Sequence, residues 1–140
     1  MKDISYYQAK HLSFGWKALL VFLLLGATLE TLHGFKIGWY LDVANETRRL
    51  LWTLSHAHGA LIALVNILYA VSLPLMASLA DKIPLVSNLL IAANILMPGG
   101  FFLAGIVVYR GDPGISIIVA LVGAACLILS VLIISLKVHR

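Results

Sequence analysis

Apolar residues run through this chain in four long blocks separated by short polar interruptions. A helix that crosses the hydrocarbon core of a bilayer needs roughly 20 mostly apolar residues. Four stretches meet that length, at about 14–35, 50–79, 83–109 and 115–136. The fourth carries no ionisable side chain except Cys126, and it is apolar all round, as a lipid-embedded helix is. The predicted fold is therefore all-α: an integral membrane four-helix bundle, antiparallel and up-down, with residues 1–140 as a single transmembrane domain. Residues 80–82 and the turn-forming run Arg-Gly-Asp-Pro-Gly at 110–114 are links short enough to force antiparallel neighbours. The longer link, 34–49, holds Trp39 and Tyr40, which suit the headgroup belt. It also holds Asp42, a candidate cap for a helix beginning near Val43. Pro98-Gly99-Gly100 is expected to break the third helix near its middle.

Composition supports lipid as the surrounding medium. The chain is 61% hydrophobic and 11% charged, with a mean hydropathy of +1.00. A soluble domain carries about 25% charged residues, so much of this surface must face something other than water. The net charge of +4 sits in clusters between the spans, without the aromatic-interleaved basic stripe of nucleic-acid binders. Nucleic acid is excluded as a partner on that ground. Lys2, Lys10, Lys17, Lys82, Lys137 and Arg140 fall on one side of the spans, against Lys36, Arg48, Arg49 and Arg110 on the other. That bias places both termini in the cytoplasm, with a bacterial inner membrane as the expected location. The first span is expected to be retained, because the stretch before it is too long and too acidic, at Asp3, for a signal peptide. Asn45-Glu46-Thr47 matches a glycosylation sequon that nothing else in the chain supports. Cys126 has no second cysteine to pair with.

Ionisable side chains inside membrane helices are costly and mark function by default. Here they gather at one end. Glu30 and His33 close the first helix, and His56 and His58 open the second. Glu30 and His33 are three apart and share a face. His56 and His58 are two apart, roughly 200° around a helix, so they cannot face one point. Glu30 and His33 with His56 or His58 form a candidate site for a divalent transition metal, with zinc, iron and copper all suited to the donors. Gly59 beside His58 would let a flat macrocycle or another backbone approach closely, which favours haem b over a bare ion. The bland alternative is a structural hydrogen-bond cluster near the interface. His11 and His139 lie outside the predicted spans and are expected to be solvated or at the headgroups. Asn66, Asn88 and Asn94 are expected to join helices by hydrogen bonds.

From Trp52 to Met76 the chain resembles the second helix of haem-copper oxidase subunit I. The likeness rests on His56-Ala-His58-Gly59 opening an apolar helix that ends near Pro74. Looser similarity at Pro84-Leu-Val-Ser-Asn88 and around Pro98 extends it over residues 15–108. The resemblance implies one role, His58 as a ligand of haem iron. It does not extend to the later helices that supply the oxidase's copper ligands and second haem ligand. Oxygen reduction by this polypeptide alone is therefore not expected.

The expected function is a small haem-binding membrane protein, for electron transfer or redox and gas sensing, with His58, His33 and His56 as candidate ligands. Two alternatives stand beside it. One is a non-catalytic subunit or assembly factor of a larger membrane complex, with Ala120, Gly123, Ala124 and Ala125 as a close-packing face. The other is the transition-metal site described above. A homo-oligomer or association with other membrane subunits is expected under each reading, because His56 and His58 point apart.

Overall fold

The computed structural model describes residues 3–41, 46–106 and 108–137. The expected cap at Asp42, the helix start near Val43, the sequon at Asn45 and the terminal His139 lie outside those residues. The described chain forms α1 (Ile4–Gly34), α2 (Glu46–Ser72), α3 (Ile83–Ile106) and α4 (Ile117–Lys137). Two 3-10 turns, Leu73–Leu75 and Ala77–Leu79, join α2 to α3. All four helices are long and apolar enough to cross a membrane. The all-α four-helix architecture read from the hydropathy pattern is thus the observed one.

The helices pack in chain order. α1 lies on α2, α2 on α3, and α3 on α4, while α1 touches α3 only marginally. In their most apolar stretches α2 and α3 are 39% buried and α1 and α4 only 17%, which makes α2 and α3 the inner pair. One end of the row gathers the start of α1 and the end of α4. There Gln8 Nε2 donates to Ala70 O, Ser78 Oγ to Lys137 O, and Lys137 pairs with Asp81 at 3.5 Å. At the other end Trp52 Nε1 donates to Phe102 O and Arg48 Nε to Gly105 O.

Turn chemistry decides the ends of the helices. Arg110 and Gly111 both have positive φ, 52° and 82°, and close a two-residue hairpin turn between Tyr109 and Asp112. Lys36, at φ 55°, ends α1: its N–H donates to His33 O and that of Ile37 to Leu32 O, the Schellman pairing. Pro74 terminates α2 and opens the first 3-10 turn. Pro98, by contrast, does not break α3 as expected. Its missing N–H leaves the Asn94 carbonyl without its usual helix partner, but tertiary packing keeps the helix continuous. Ser55 Oγ donates to Pro98 O at 2.9 Å, and Asn94 Nδ2 to Gly59 O at 2.9 Å. Asn94 therefore joins helices as expected, whereas Asn88 is exposed.

The close-packing face expected on α4 for lateral partners is used within the chain instead. A Cβ on Gly100 would collide with the Ala120 backbone, and one on Gly123 with the Met97 backbone. α3 and α4 therefore meet backbone to backbone, the contact that small residues permit. Ala124 and Ala125 alone of that set keep some exposure.

The largest departure from the sequence reading is at the start of α1. The helix begins at Ile4 rather than near residue 14, because Asp3 caps it, accepting from Ile4 N at 2.7 Å. Those extra turns carry His11, expected at the headgroups, into a fully buried position. His11 Nδ1 lies 2.7 Å from Asn66 Oδ1 and Nε2 lies 2.8 Å from Ser87 Oγ. An amide oxygen only accepts, so the proton sits on Nδ1 and the Ser87 hydroxyl donates to Nε2. Lys10 Nζ donates in turn to Ser87 Oγ at 3.2 Å, and Asn66 Nδ2 to Ile62 O at 2.9 Å. The edge of Tyr69 closes over the imidazole at 4.9 Å between ring centres. One side chain thus links α1, α2 and α3 with every polar atom satisfied.

Replacing His11 with Ala strands the Asn66 oxygen and the Ser87 hydroxyl in an apolar site. The expected loss is about 1–3 kcal/mol, read as a lower thermal midpoint in mild detergent. Asn66→Leu should lose a similar amount, and the double variant should lose less than the sum.

Candidate functional site

Regular helix geometry assembles the site from two faces. On α1, residues 23, 26, 27, 30 and 33 recur at three- and four-residue spacing, and on α2 residues 46, 49, 50, 53 and 56 do the same. Where these faces meet they line a groove of about 900 Å³. Its apolar lining on α1 is Leu23, Gly26, Ala27 and Leu29, of which Gly26 and Leu29 are buried. Toward the helix ends the lining is ionisable, with Glu30, His33, Glu46 and Arg49, and it includes Tyr40. Cofactor sites of comparable size, roughly 300–1,000 Å³, combine an apolar lining with a few placed polar groups.

His56 is the most constrained polar group of the groove. Its Nδ1 lies 2.7 Å from the Phe22 carbonyl oxygen on α1. A carbonyl only accepts, so Nδ1 carries a proton; in the neutral imidazole the lone pair is then on Nε2. No described residue hydrogen-bonds to Nε2. An imidazole held this way, with Nδ1–H on a backbone carbonyl, is in the tautomer and orientation that metal-ligating histidines adopt. The ring lies against the Cα of Gly26, where an added Cβ would collide with it.

His58 faces the other way. Its Nδ1 donates to Leu54 O in its own helix at 2.8 Å, and its ring rests on Phe101 of α3 with 5.2 Å between centres. It does not line the groove. The divergence expected from the two-residue spacing is therefore present, and of the pair His56 faces α1. Gly59 does admit a flat ring, but the ring is the chain's own. The phenyl of Phe22 fills the space a Cβ would take, so no macrocycle slot opens at that glycine.

Glu30 and His33 lie on one face of α1, as their spacing predicted, and line the groove with His56. Both are exposed and make no hydrogen bond or ion pair with any described residue. No three His, Cys, Asp or Glu side chains among the described residues come together closely enough to hold a metal ion. The four predicted site residues therefore divide, with Glu30, His33 and His56 on one side of α2 and His58 on the other.

Several residues that shape the site were not singled out from the sequence. Arg49 lines the rim at i−7 from His56, a helical spacing visible in the sequence but unremarkable until α1 is seen opposite. Phe22 and Gly26 position His56, and nothing in a continuous apolar run marks them. Around the mouth, Trp52 stacks on Phe102 and Tyr40 at 5.6 and 6.2 Å, and Trp39 packs against it at 5.2 Å. Arg48 lies 4.8 Å over the Trp39 ring and donates to the Trp39 carbonyl. This aromatic cap holds the ends of α1, α2 and α3 together beside the groove.

No family model matches the chain, and no curated protein or solved structure is significantly similar to it. The class of the molecule follows from its own geometry: an all-α, four-helix protein of membrane-spanning dimensions, with a histidine-bearing groove at one end.

Gly26→Ala should push the His56 ring off the Phe22 carbonyl and destabilise the protein by about 1–3 kcal/mol. Gly34→Ala is the control, because a Cβ there meets nothing. Thermal unfolding of the two variants in the same detergent distinguishes a specific contact from a general glycine effect.

Proposed function

We propose that this chain is a small haem-binding membrane protein, acting in electron transfer or in redox or gas sensing, and that the groove between α1 and α2 receives the haem. The observation that carries this reading is the placement of His56, an imidazole anchored through Nδ1–H, with Nε2 unpartnered among the described residues, in a groove that also offers apolar side chains. Haem suits the donor set better than a bare ion does. The porphyrin already supplies four nitrogens to the iron, so one imidazole is enough, whereas an ion bound by protein alone needs three or more ligands. The resemblance to oxidase helices favours haem as well, although it implies His58 rather than His56.

In this reading His56 would hold the iron through Nε2, and His33, in the same groove, is the available second ligand. Leu23, Ala27 and Leu50 would supply apolar contacts to the macrocycle. Bound haem would supply a one-electron couple. His58 serves only a group held on the α3 side of α2, such as one shared with a second copy of the chain. The proposed setting is a bacterial inner membrane with both termini cytoplasmic, which places the groove at the extracytoplasmic face.

A second reading, a subunit or assembly factor of a larger membrane complex, is favoured by one observation. The row of helices is open, leaving broad apolar faces on α1 and α4, with Trp16, Leu24 and Ile128 all at least 60% exposed. Lipid covers such faces equally well.

The absorption spectrum of protein purified from haem-replete cells tests the proposal. Wild type and His58→Ala should show a Soret band, and His56→Ala should lose it. A colourless wild-type protein would sink the haem reading. Loss of the band in His58→Ala alone would move the haem to the α3 side of α2.

A further inference from the structure

The groove is graded along its length, and the gradation specifies more than a haem iron. Arg49, Thr53 and His56 lie on one face of α2 at i, i+4 and i+7, all lining the groove. Seven residues of helix separate Arg49 from His56 by about 10 Å along the axis. On the α1 side the lining runs from Gly26, Ala27 and Leu29 to Glu30 and His33 at the rim.

Arg49 is the one cation lining the groove among the described residues. Its neighbour Arg48 is committed elsewhere, donating to Gly105 O and Trp39 O at 3.2 Å each and lying over the Trp39 ring. Arg49 has only Glu46, at 3.8 Å, with the two side chains 36% and 68% exposed. An exposed pair at that distance contributes little and is screened by salt. The guanidinium can therefore exchange this partner at small cost.

We infer that Arg49 binds a carboxylate of the ligand, and that the groove therefore takes an amphiphile with an apolar body and a terminal acid. This inference rests on the haem reading above. The two acids of the rim, Glu30 and Glu46, oppose a free anion, so a small carboxylate alone gains no foothold. An apolar body anchored at depth is what brings the acid to Arg49. The fork of the guanidinium then fixes which way the ligand lies, because it matches a carboxylate in two parallel hydrogen bonds.

The test compares haem with its dimethyl ester, in which both carboxylates are blocked, by titration of the purified protein followed in the Soret region. Wild type should bind haem more tightly than the ester by on the order of tenfold, with the difference shrinking as salt is raised. Arg49→Gln should lose that preference while leaving the band position unchanged, because His56 is untouched. Glu46→Gln should tighten haem binding but not ester binding. Equal affinity of wild type for haem and ester, with a normal Soret band in both, would overturn the role of Arg49 and leave the haem site standing. No band with either compound would overturn the haem reading, and this inference with it. The wild-type comparison needs no variant, so a folding defect in Arg49→Gln does not blunt it.

Discussion

The imidazole of His11, donating to Asn66 and accepting from Ser87, ties α1, α2 and α3 at one end of the molecule. Lipid chains are as apolar as leucine, so the hydrophobic effect does little to hold one membrane helix against another. Register must come from polar groups that find partners and from backbones that approach closely. Here the His11 cluster supplies the first and the Gly100, Ala120 and Gly123 contacts supply the second. Once α1 is set against α2 by His11 and Asn66, their opposite ends have no freedom left to choose faces. Gly26 must meet His56, and the Phe22 carbonyl must meet its Nδ1.

The groove is a consequence of that register. Its two walls are ordinary helical stripes, and neither is a site alone. Brought together, they place an oriented imidazole among apolar side chains, with an arginine and two acids at the rim. The buried ties and the site lie at opposite ends of the same helix pair. The His11 imidazole has both of its nitrogens satisfied. The end with the groove leaves Glu30, His33 and the Nε2 of His56 without described partners. Unspent hydrogen-bonding capacity is what a ligand site requires and what a structural cluster lacks.

The same contrast shows why sequence reading ranked the histidines as it did. His56 and His58 were visible because charge-capable groups inside an apolar run are conspicuous. Their divergence was visible because a two-residue step is roughly 200° on any helix. Which of them faces α1 was not visible, because that depends on the rotation of α2 against its neighbours. His11 was placed at the headgroups because hydropathy averages over a window. Tyr6, Tyr7, Gln8 and Lys10 pull that average down although one face of the segment is buried. Gly59 was read as making room for a macrocycle, and the room is there, but Phe22 occupies it.

By itself the sequence determined the class of the molecule: four helices, their approximate spans, their antiparallel order, and a polar concentration at the end holding Glu30, His33, His56 and His58. These follow from residue spacing and bilayer thickness, which are local and one-dimensional quantities. Only the tertiary structure decided that His58 stands apart from the other three, that His11 is the central tie, and that Arg49 joins the site. Those are questions of helix rotation and axial register. Contacts between residues far apart in the chain settle them, and no window along the sequence contains both partners.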